Sequence, residues 1–147
     1  DILDYTPPYQ SDFIILDAPC SATGTFRRHP DIFLHKKAPD LMRLQQTQIA
    51  LLERSLNWVV NDGALFYVTC SLQPEEGEEV IETILATGQA RLLPFTETEL
   101  GIFSAASHPK GWARILPSCL DHISSDSANA GTGCDGFFVA RLQPVRS

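Results

Sequence analysis

Two short apolar runs joined by one amphipathic stretch constrain the fold of this chain more than any other feature. The runs Phe13–Leu16 and Ala64–Val68 have the length and apolar character of strands that are buried on both faces of a parallel sheet. Between them, apolar residues recur at helical spacing over Pro39–Val60, with Gln48 as the exception, and Asp62-Gly63 is expected to end the helix. The order strand, helix, strand predicts an α/β fold with an open sheet.

The second half of the chain predicts one more helix and several short strands. Pro74 is suited to the first turn of a helix and Gly88 to its end. The acidic residues over Glu75–Glu82 are expected to form a face that is exposed to solvent. Polar loops separate the next, shorter strand candidates, which are Ala90–Leu93, Ala113–Leu116 and Phe137–Leu142. A run of short strands after the alternating strands and helices indicates an antiparallel edge of the sheet.

Composition excludes several classes of protein. The 147 residues include 11 Lys and Arg against 18 Asp and Glu, and the net charge of −7 argues against binding polyanions by charge alone. Four cysteines without a CxxC pair are too sparse for a disulfide scaffold and predict a reduced, cytoplasmic setting. No apolar run approaches the roughly 20 residues of a membrane span. Zinc is not expected from the spacings of the candidate ligands His108, Cys119, His122 and Cys134.

Cysteines follow both apolar runs, at the points where the predicted strands end. Open α/β sheets bind ligands beyond the carboxyl ends of their strands, so Cys20 and Cys70 should meet in one crevice, with Asp17 beside them. A thiol near a helix start, or near cations such as Arg27 and Arg28, becomes more readily ionised and can act as a nucleophile. Free cysteine is also a common small core residue. The residues alone leave nucleophilic catalysis and simple packing open as explanations.

The segments around these cysteines, DAPCSATGTFRRHPD and YVTCSLQPEEGEEV, resemble the two signature segments of the Sun family of RNA cytosine-C5 methyltransferases. The stretches LQQTQIALLERS, NDGALFYVTCS, RILP and GCDGFFVARL are similar to the same family, so the likeness covers nearly the whole chain. The form RRHPD most resembles the bacterial enzymes that modify small-subunit ribosomal RNA. The resemblance implies a Rossmann-like fold that uses S-adenosylmethionine, with ribosomal RNA, or else transfer RNA, as the partner.

Within this resemblance, residues 1–147 correspond to the C-terminal part of the catalytic domain. No glycine-rich cofactor loop, and no acidic residue on a strand after it, precedes Phe13. We therefore expect the cofactor-loop half of the domain and the N-terminal RNA-binding domain to be absent. Such a piece is expected to bind S-adenosylmethionine poorly, to be inactive alone, and to self-associate through an exposed strand edge.

The resemblance also implies roles for individual residues. Cys70 would add to carbon 6 of cytosine, Cys20 would assist release of the methylated base, and Asp17 would contact the base near N3. Asp1 would correspond to the acidic residue that meets the adenine of the cofactor. The other residues implied to contact the cofactor are Asp17, Ala18 and Pro19.

Three alternatives accompany this reading. DNA cytosine methyltransferases place their nucleophile in a Pro-Cys segment, which would exchange the roles of Cys20 and Cys70, but the Glu-Asn-Val element of those enzymes is not found here. A non-catalytic RNA-binding or scaffold module would keep the fold without turnover, although both signature cysteines argue against it. The segment Thr6–Tyr9 is similar to a loop of amino-methyltransferases, yet it precedes the first strand instead of following it.

Basic residues cluster directly after the first signature segment. Within 17 positions lie 5 of the 11 Lys and Arg, namely Arg27, Arg28, Lys36, Lys37 and Arg43. The cluster predicts contacts with RNA phosphates, and a solvated loop is the alternative. The residues expected to make these contacts are Arg27, Arg28, His29 and Lys36.

Overall fold

The computed structural model of the protein describes residues 2, 4–31, 38–120 and 133–146. These ranges contain the strands β1 Ser11–Asp17, β2 Val59–Thr69, β3 Ala90–Leu92, β4 Ala113–Ile115 and β5 Phe137–Pro144. They also contain the helices α1 Ala38–Leu56, α2 Glu78–Ala86 and α3 Glu97–Leu100. Short 3₁₀ helices lie at Thr23–Thr25, Pro74–Glu76, Gly101–Ala106 and Pro117–Leu120. No helix within the described ranges is both long and apolar enough to cross a membrane.

The strands form one mixed sheet in the order β1, β2, β5, β3, and β4 also pairs with β5. β1 and β2 are parallel, as the long connection through α1 requires, whereas every pairing of β5 is antiparallel. β3 pairs with one end of β5, at Leu142–Pro144, and β4 with the other end, at Phe137–Val139. The expected α/β sheet with antiparallel edge strands is confirmed.

The main core lies between one face of this sheet and the helices α1 and α2. Apolar side chains of both helices pack against inward-facing residues of β2 and β5, and the largest of these have no solvent exposure. Burying each such side chain stabilises the fold by about 1.5–3 kcal/mol. The residues that meet there include Leu52, Leu56, Leu65, Tyr67, Ile81, Ile84 and Phe138.

The expectation that Phe13–Leu16 is buried on both faces is wrong. Leu16 is buried, but Phe13 and Ile15, which alternate with it along β1, are 71% and 74% exposed. Side chains of a strand alternate between the two faces of the sheet, and α1 and α2 cover only the face on which Leu16 lies. A continuous apolar run therefore did not distinguish a strand covered on one face from a strand covered on two.

The expected end of the first helix at Asp62-Gly63 is also wrong. α1 ends at Leu56, and β2 begins at Val59 and continues through Asp62-Gly63. The β-branched pair Val59 and Val60 favours strand over helix. The pairing with β1 is irregular here, and a side chain at Gly63 would lie 2.5 Å from the Asp12 carbonyl oxygen, so glycine permits the close approach of the two strands.

The expected end of the second helix is confirmed, whereas the α-helix itself begins at Glu78, four residues after the expected start at Pro74. Pro74 is the first residue of the 3₁₀ turn that leads into α2. Gly88 follows the helix with a φ of +72°, a left-handed conformation that glycine adopts without the steric cost of a side chain. The backbone N–H of Gly88 donates to the Leu85 carbonyl, which satisfies one of the last acceptors of the helix.

The self-association expected of residues 1–147 stays a prediction, and β1 is where we expect it. Within the described sheet, β1 pairs with β2 on one side only, and it presents Phe13 and Ile15 to solvent. Light scattering of these 147 residues should show a mass that rises with concentration, and Ile15→Glu should shift the population toward monomer. The matched control is Ile102→Glu, which changes an exposed apolar residue in another part of the chain. A parent chain that stays monomeric at all concentrations would contradict the prediction.

Candidate active site

Two loops that follow the parallel strands β1 and β2 bring the signature cysteines together. The Sγ atoms of Cys20 and Cys70 are 3.4 Å apart, although 50 positions separate the residues. The Ala18 N–H donates to the Val68 carbonyl at 3.0 Å, which continues the pairing of the strands beyond their ends. The Gly24 N–H donates to the Cys70 carbonyl at 2.8 Å and fixes the first loop to the second. The predicted meeting of the two thiols in one crevice is confirmed.

A third segment, the turn before β5, closes on the first loop through a pair of glycines. The Gly136 N–H donates to the Gly24 carbonyl at 2.8 Å. A side chain at Gly24 would lie 2.1 Å from the Gly136 carbonyl oxygen, and one at Gly136 would lie 2.5 Å from Leu72. Only glycine allows the three segments to approach this closely.

The first loop contains a residue in an unfavourable backbone conformation. Ala22 has a φ of 59° and a ψ of 24°, the left-handed region, which costs a residue with a side chain about 1–2 kcal/mol. The N–H and hydroxyl groups of Thr25 both donate to the Ala22 carbonyl. Strain of this kind persists only where surrounding contacts hold it, and it is common at functional sites.

Burial changes the ionisation of two groups at the site, the Cys20 thiol and the Tyr67 hydroxyl. Burial is the main cause that raises the pKa of the Cys20 thiol to about 12, with the Ala22 N–H opposing the rise and the Cys70 sulfur adding to it. Cys20 therefore stays a neutral thiol at physiological pH and can donate its S–H to the Cys70 sulfur. Burial also raises the pKa of Tyr67, whose hydroxyl lies under the site and donates to the Glu76 carbonyl at 2.8 Å.

The residues expected to face base and cofactor lie at the end of β1. Asp17 and Pro19 are exposed, whereas Ala18 is buried in the main core. The exposed carboxylate of Asp17 stands at the carboxyl end of a parallel strand, where open α/β sheets bind ligands. Asp1 lies outside the described residues.

Glu76 corrects the expectation that Glu75–Glu82 form a solvated face. Its side chain has no solvent exposure, and hydrogen-bond donors reach both of its oxygens. Oε1 accepts from the Ser21 N–H at 2.8 Å and from the Gln48 amide at 3.1 Å, and Oε2 accepts from the hydroxyls of Ser21 and Ser71. The physical reason is that the 3₁₀ turn at Pro74–Glu76 directs this carboxylate beneath the two cysteine loops. Glu78 is also only partly exposed, because it pairs with Arg114.

A signal for this buried cluster was present in the sequence. Gln48 interrupts the apolar stripe of α1, and the structure shows it fully buried, bound to the Pro19 carbonyl at 2.9 Å and to Glu76. A polar residue at an inward-facing helix position requires polar partners, because an unpaired buried polar group is costly. Gln48 therefore indicated a buried polar group nearby, although not which one.

The basic cluster is tied to the turn before β5. Arg28 forms a paired contact with both oxygens of Asp135, and Arg27 donates to the Gly133 carbonyl at 2.9 Å. The guanidinium of Arg28 lowers the pKa of Asp135, and the carboxylate in turn raises the pKa of Arg28. His29 is exposed, and Lys36 lies outside the described residues. Arg27 and Arg28 thus hold two site segments together while keeping exposed surface.

The amino-methyltransferase-like segment and the candidate zinc ligands lie in other parts of the structure. Thr6–Tyr9 precedes β1, and Arg54 binds the Thr6 hydroxyl at 3.0 Å. His108 stacks on Trp112, and Cys119 is buried against the Leu116 N–H. His122 lies outside the described residues, and within the part that is described no group of three or more His, Cys, Asp or Glu could hold a metal.

The sheet and the paired cysteine loops place this chain among proteins with a methyltransferase fold. The solved structure of PH0851 superimposes with a TM-score of 0.72 at 27% identity, covering 90% of this chain and 26% of that one. A methyltransferase homolog from Pyrococcus horikoshii gives a TM-score of 0.64 at 30% identity, covering 93% of this chain and 40% of that one. The described sheet therefore represents part of such a fold.

Sequence comparison identifies the family. The model of the family described as 16S rRNA methyltransferase RsmB/F matches residues 3–143. Ribosomal RNA small subunit methyltransferase B of Shewanella oneidensis is 38% identical over 134 residues, which are 90% of this chain and 27% of that protein. The chain belongs to the RsmB/F family, and it spans about a quarter of the length of this relative.

Proposed function

We propose that this chain carries the cytosine-handling site of an enzyme that methylates carbon 5 of cytosine in small-subunit ribosomal RNA, in the cytoplasm. The observation that carries the proposal is the contact of two thiols, 3.4 Å apart, at the ends of two parallel strands in a chain of the RsmB/F family. Two cysteines brought together by different loops, with both loops fixed by hydrogen bonds, are more than simple packing requires.

The chemistry explains why a thiol is needed. Carbon 5 of cytosine is a poor nucleophile, and addition of a thiolate to carbon 6 makes it electron-rich. In the proposed sequence, the Cys70 thiolate forms a bond to carbon 6, and the electron pair of the double bond between carbons 5 and 6 passes to carbon 5. Carbon 5 would then take the methyl group from the sulfonium of S-adenosylmethionine, which would be left as S-adenosylhomocysteine. The hydrogen of carbon 5 then leaves as a proton to water, the double bond between carbons 5 and 6 re-forms, and the Cys70 thiolate departs.

We propose Cys70 as the nucleophile because the TCS segment that contains it has the likeness to the family's second signature segment. Cys20, whose pKa burial raises, remains a neutral thiol and is a poor nucleophile in that form. It stands where its S–H can donate to the Cys70 thiolate, both before attack and as that thiolate leaves the base. This arrangement is compatible with the release role proposed for Cys20, and the exchanged assignment of the DNA enzymes is the alternative that the cysteine variants test.

The residues at the end of β1 fit a ligand-binding role in part. S-adenosylmethionine supplies an electrophilic methyl group when bound, and we propose that Asp17 and Pro19 lie against it or against the base. Both are exposed at the ligand-binding end of the sheet, whereas the burial of Ala18 limits that residue to its backbone. Arg27, Arg28, His29 and Lys36 are proposed to contact RNA phosphates.

Release of tritium from RNA labelled at carbon 5 of cytosine tests the proposal. Methylation at carbon 5 must displace that hydrogen, so the full-length protein with S-adenosylmethionine and small-subunit ribosomal RNA should release tritium in proportion to methyl transfer. RNA labelled at carbon 6 is the matched control and should retain its label. Methyl transfer without tritium release would exclude carbon 5, and binding of RNA without transfer would favour the non-catalytic module.

A further inference from the structure

We propose that Glu76 is a positioning residue, whose buried carboxylate holds the two signature cysteines at the separation that the proposed methyl transfer needs. The inference rests on the proposed function but concerns a residue other than the two cysteines. The serines that immediately follow the two cysteines, Ser21 and Ser71, both donate their hydroxyls to Oε2 of Glu76. One carboxylate oxygen therefore joins the two cysteine loops.

The other oxygen fixes Cys20 from both sides along the chain. Oε1 accepts from the Ser21 N–H on one side of Cys20, and from the Gln48 amide, which also binds the Pro19 carbonyl on the other side. Ser21 is thus bound to the carboxylate directly, and Pro19 is bound to it through the Gln48 amide. The cysteine between them has little freedom to move away from Cys70.

Glu76 is itself held firmly in place. Its carbonyl accepts from the buried Tyr67 hydroxyl of β2 at 2.8 Å. The next residue, Gly77, packs so closely that a side chain there would lie 2.8 Å from Arg114 and 2.9 Å from Phe138. The turn that carries Glu76 cannot shift without disturbing the core, so the carboxylate is a fixed reference for both loops.

The chemistry of the contacts requires a carboxylate. The four partners of its two oxygens named above, two hydroxyls, one amide and one N–H, act as donors, and a carboxylate can accept from all of them. A glutamine at this position has one oxygen and a donating NH₂ group, so at least two of these contacts would have to reverse or break. Glu76→Gln should therefore loosen the loops without removing much volume.

A trivalent organic arsenical measures the sulfur pair without RNA or cofactor. Phenylarsine oxide forms two As–S bonds, losing its oxygen as water with the two thiol protons, and therefore requires two nearby sulfurs. The full-length protein should bind it through Cys20 and Cys70, as identified by peptide mass spectrometry and by loss of that linkage in Cys20→Ser. Glu76→Gln and Ser71→Ala should weaken the binding at least about tenfold, since either change removes a charge-assisted hydrogen bond.

Glu79→Gln is the matched control, because Glu79 is an exposed acid on α2. Within the described part of the chain, its carboxylate accepts a hydrogen bond from the Gln45 amide and has no contact with the cysteine loops. It should bind the arsenical as the parent does. In the methyl-transfer assay, Glu76→Gln should lower kcat per folded molecule and leave the KM for RNA unchanged, with the folded fraction measured by circular dichroism.

Circular dichroism separates misfolding from mispositioning. If Glu76→Gln fails to fold, the positioning role is tested with Ser21→Ala and Ser71→Ala, each of which removes one hydroxyl donor to the carboxylate. Folded variants with the arsenical affinity and kcat of the parent would overturn the positioning role. If the variants bind the arsenical more weakly but the parent protein transfers no methyl group, the positioning role of Glu76 is supported and the proposed function is wrong.

Discussion

Cys70→Ala should abolish covalent attachment of the full-length protein to RNA and reduce methyl transfer at least about 10³-fold, because loss of a catalytic nucleophile removes the pathway that it opens. RNA that contains 5-azacytidine is the decisive substrate. Nitrogen replaces carbon 5 in this base, so no hydrogen can leave after methylation and the bond between sulfur and carbon 6 persists. The parent protein should give an RNA–protein complex that survives denaturation on a gel, and the variant should give none.

Cys134→Ala is the matched control for this experiment. Cys134 is a half-buried free cysteine whose Sγ contacts the Leu116 carbonyl at 3.5 Å, and none of the proposed steps uses it. Its removal should leave the adduct intact. Methylation at the parental rate by Cys70→Ala would contradict the covalent mechanism, even though the fold and the family would stand.

The meeting of Cys20 and Cys70 could be predicted from the sequence because it follows from topology alone. Parallel neighbouring strands end at the same edge of a sheet, so residues placed a few positions after each strand must lie close together. The prediction needed only the strand positions and the crossover helix, and errors of several residues in the ends of α1 and β2 did not affect it.

Glu76 was missed because its partners come from three separate segments of the chain, two of them distant in sequence. Ser21, Gln48 and Ser71 lie 55, 28 and 5 positions away from it, and nothing within QPEEGEE distinguishes the one buried acid from its neighbours. Local periodicity reports which face of an element is apolar. It does not report where a loop directs a single polar side chain.

The exposure of β1 and the pairing of Arg28 both depend on parts of the chain that are far away in sequence. Whether Phe13 and Ile15 are covered depends on what packs against the second face of the sheet, and the pattern FIIL is compatible with both outcomes. Arg28 pairs with Asp135, 107 positions away, so a cluster of basic residues expected to face only RNA or solvent also joins two segments of the site. Long-range partners of charged residues cannot be deduced from charge spacing.

Cys20→Ala should have the opposite effect to Cys70→Ala and make the adduct accumulate on ordinary cytosine RNA. The Cys70 sulfur can still attack, but the thiolate that leaves has lost the S–H donor 3.4 Å away. A hydrogen bond to a charged group contributes about 1.5–3 kcal/mol, so release should slow by about one to two orders of magnitude. Gel analysis of RNA without 5-azacytidine, sampled over time after mixing, should show the complex in the variant and little of it in the parent.

The pair of variants also decides between the two assignments of the cysteines. If Cys20 were the nucleophile, as in the Pro-Cys segment of the DNA enzymes, Cys20→Ala would lose the adduct and Cys70→Ala would accumulate it. The likeness of the TCS segment to the family's second signature favours the first assignment, and the sulfur contact at 3.4 Å places Cys20 where it can donate to the thiolate that leaves. The two gels therefore distinguish the assignments by which variant keeps the adduct.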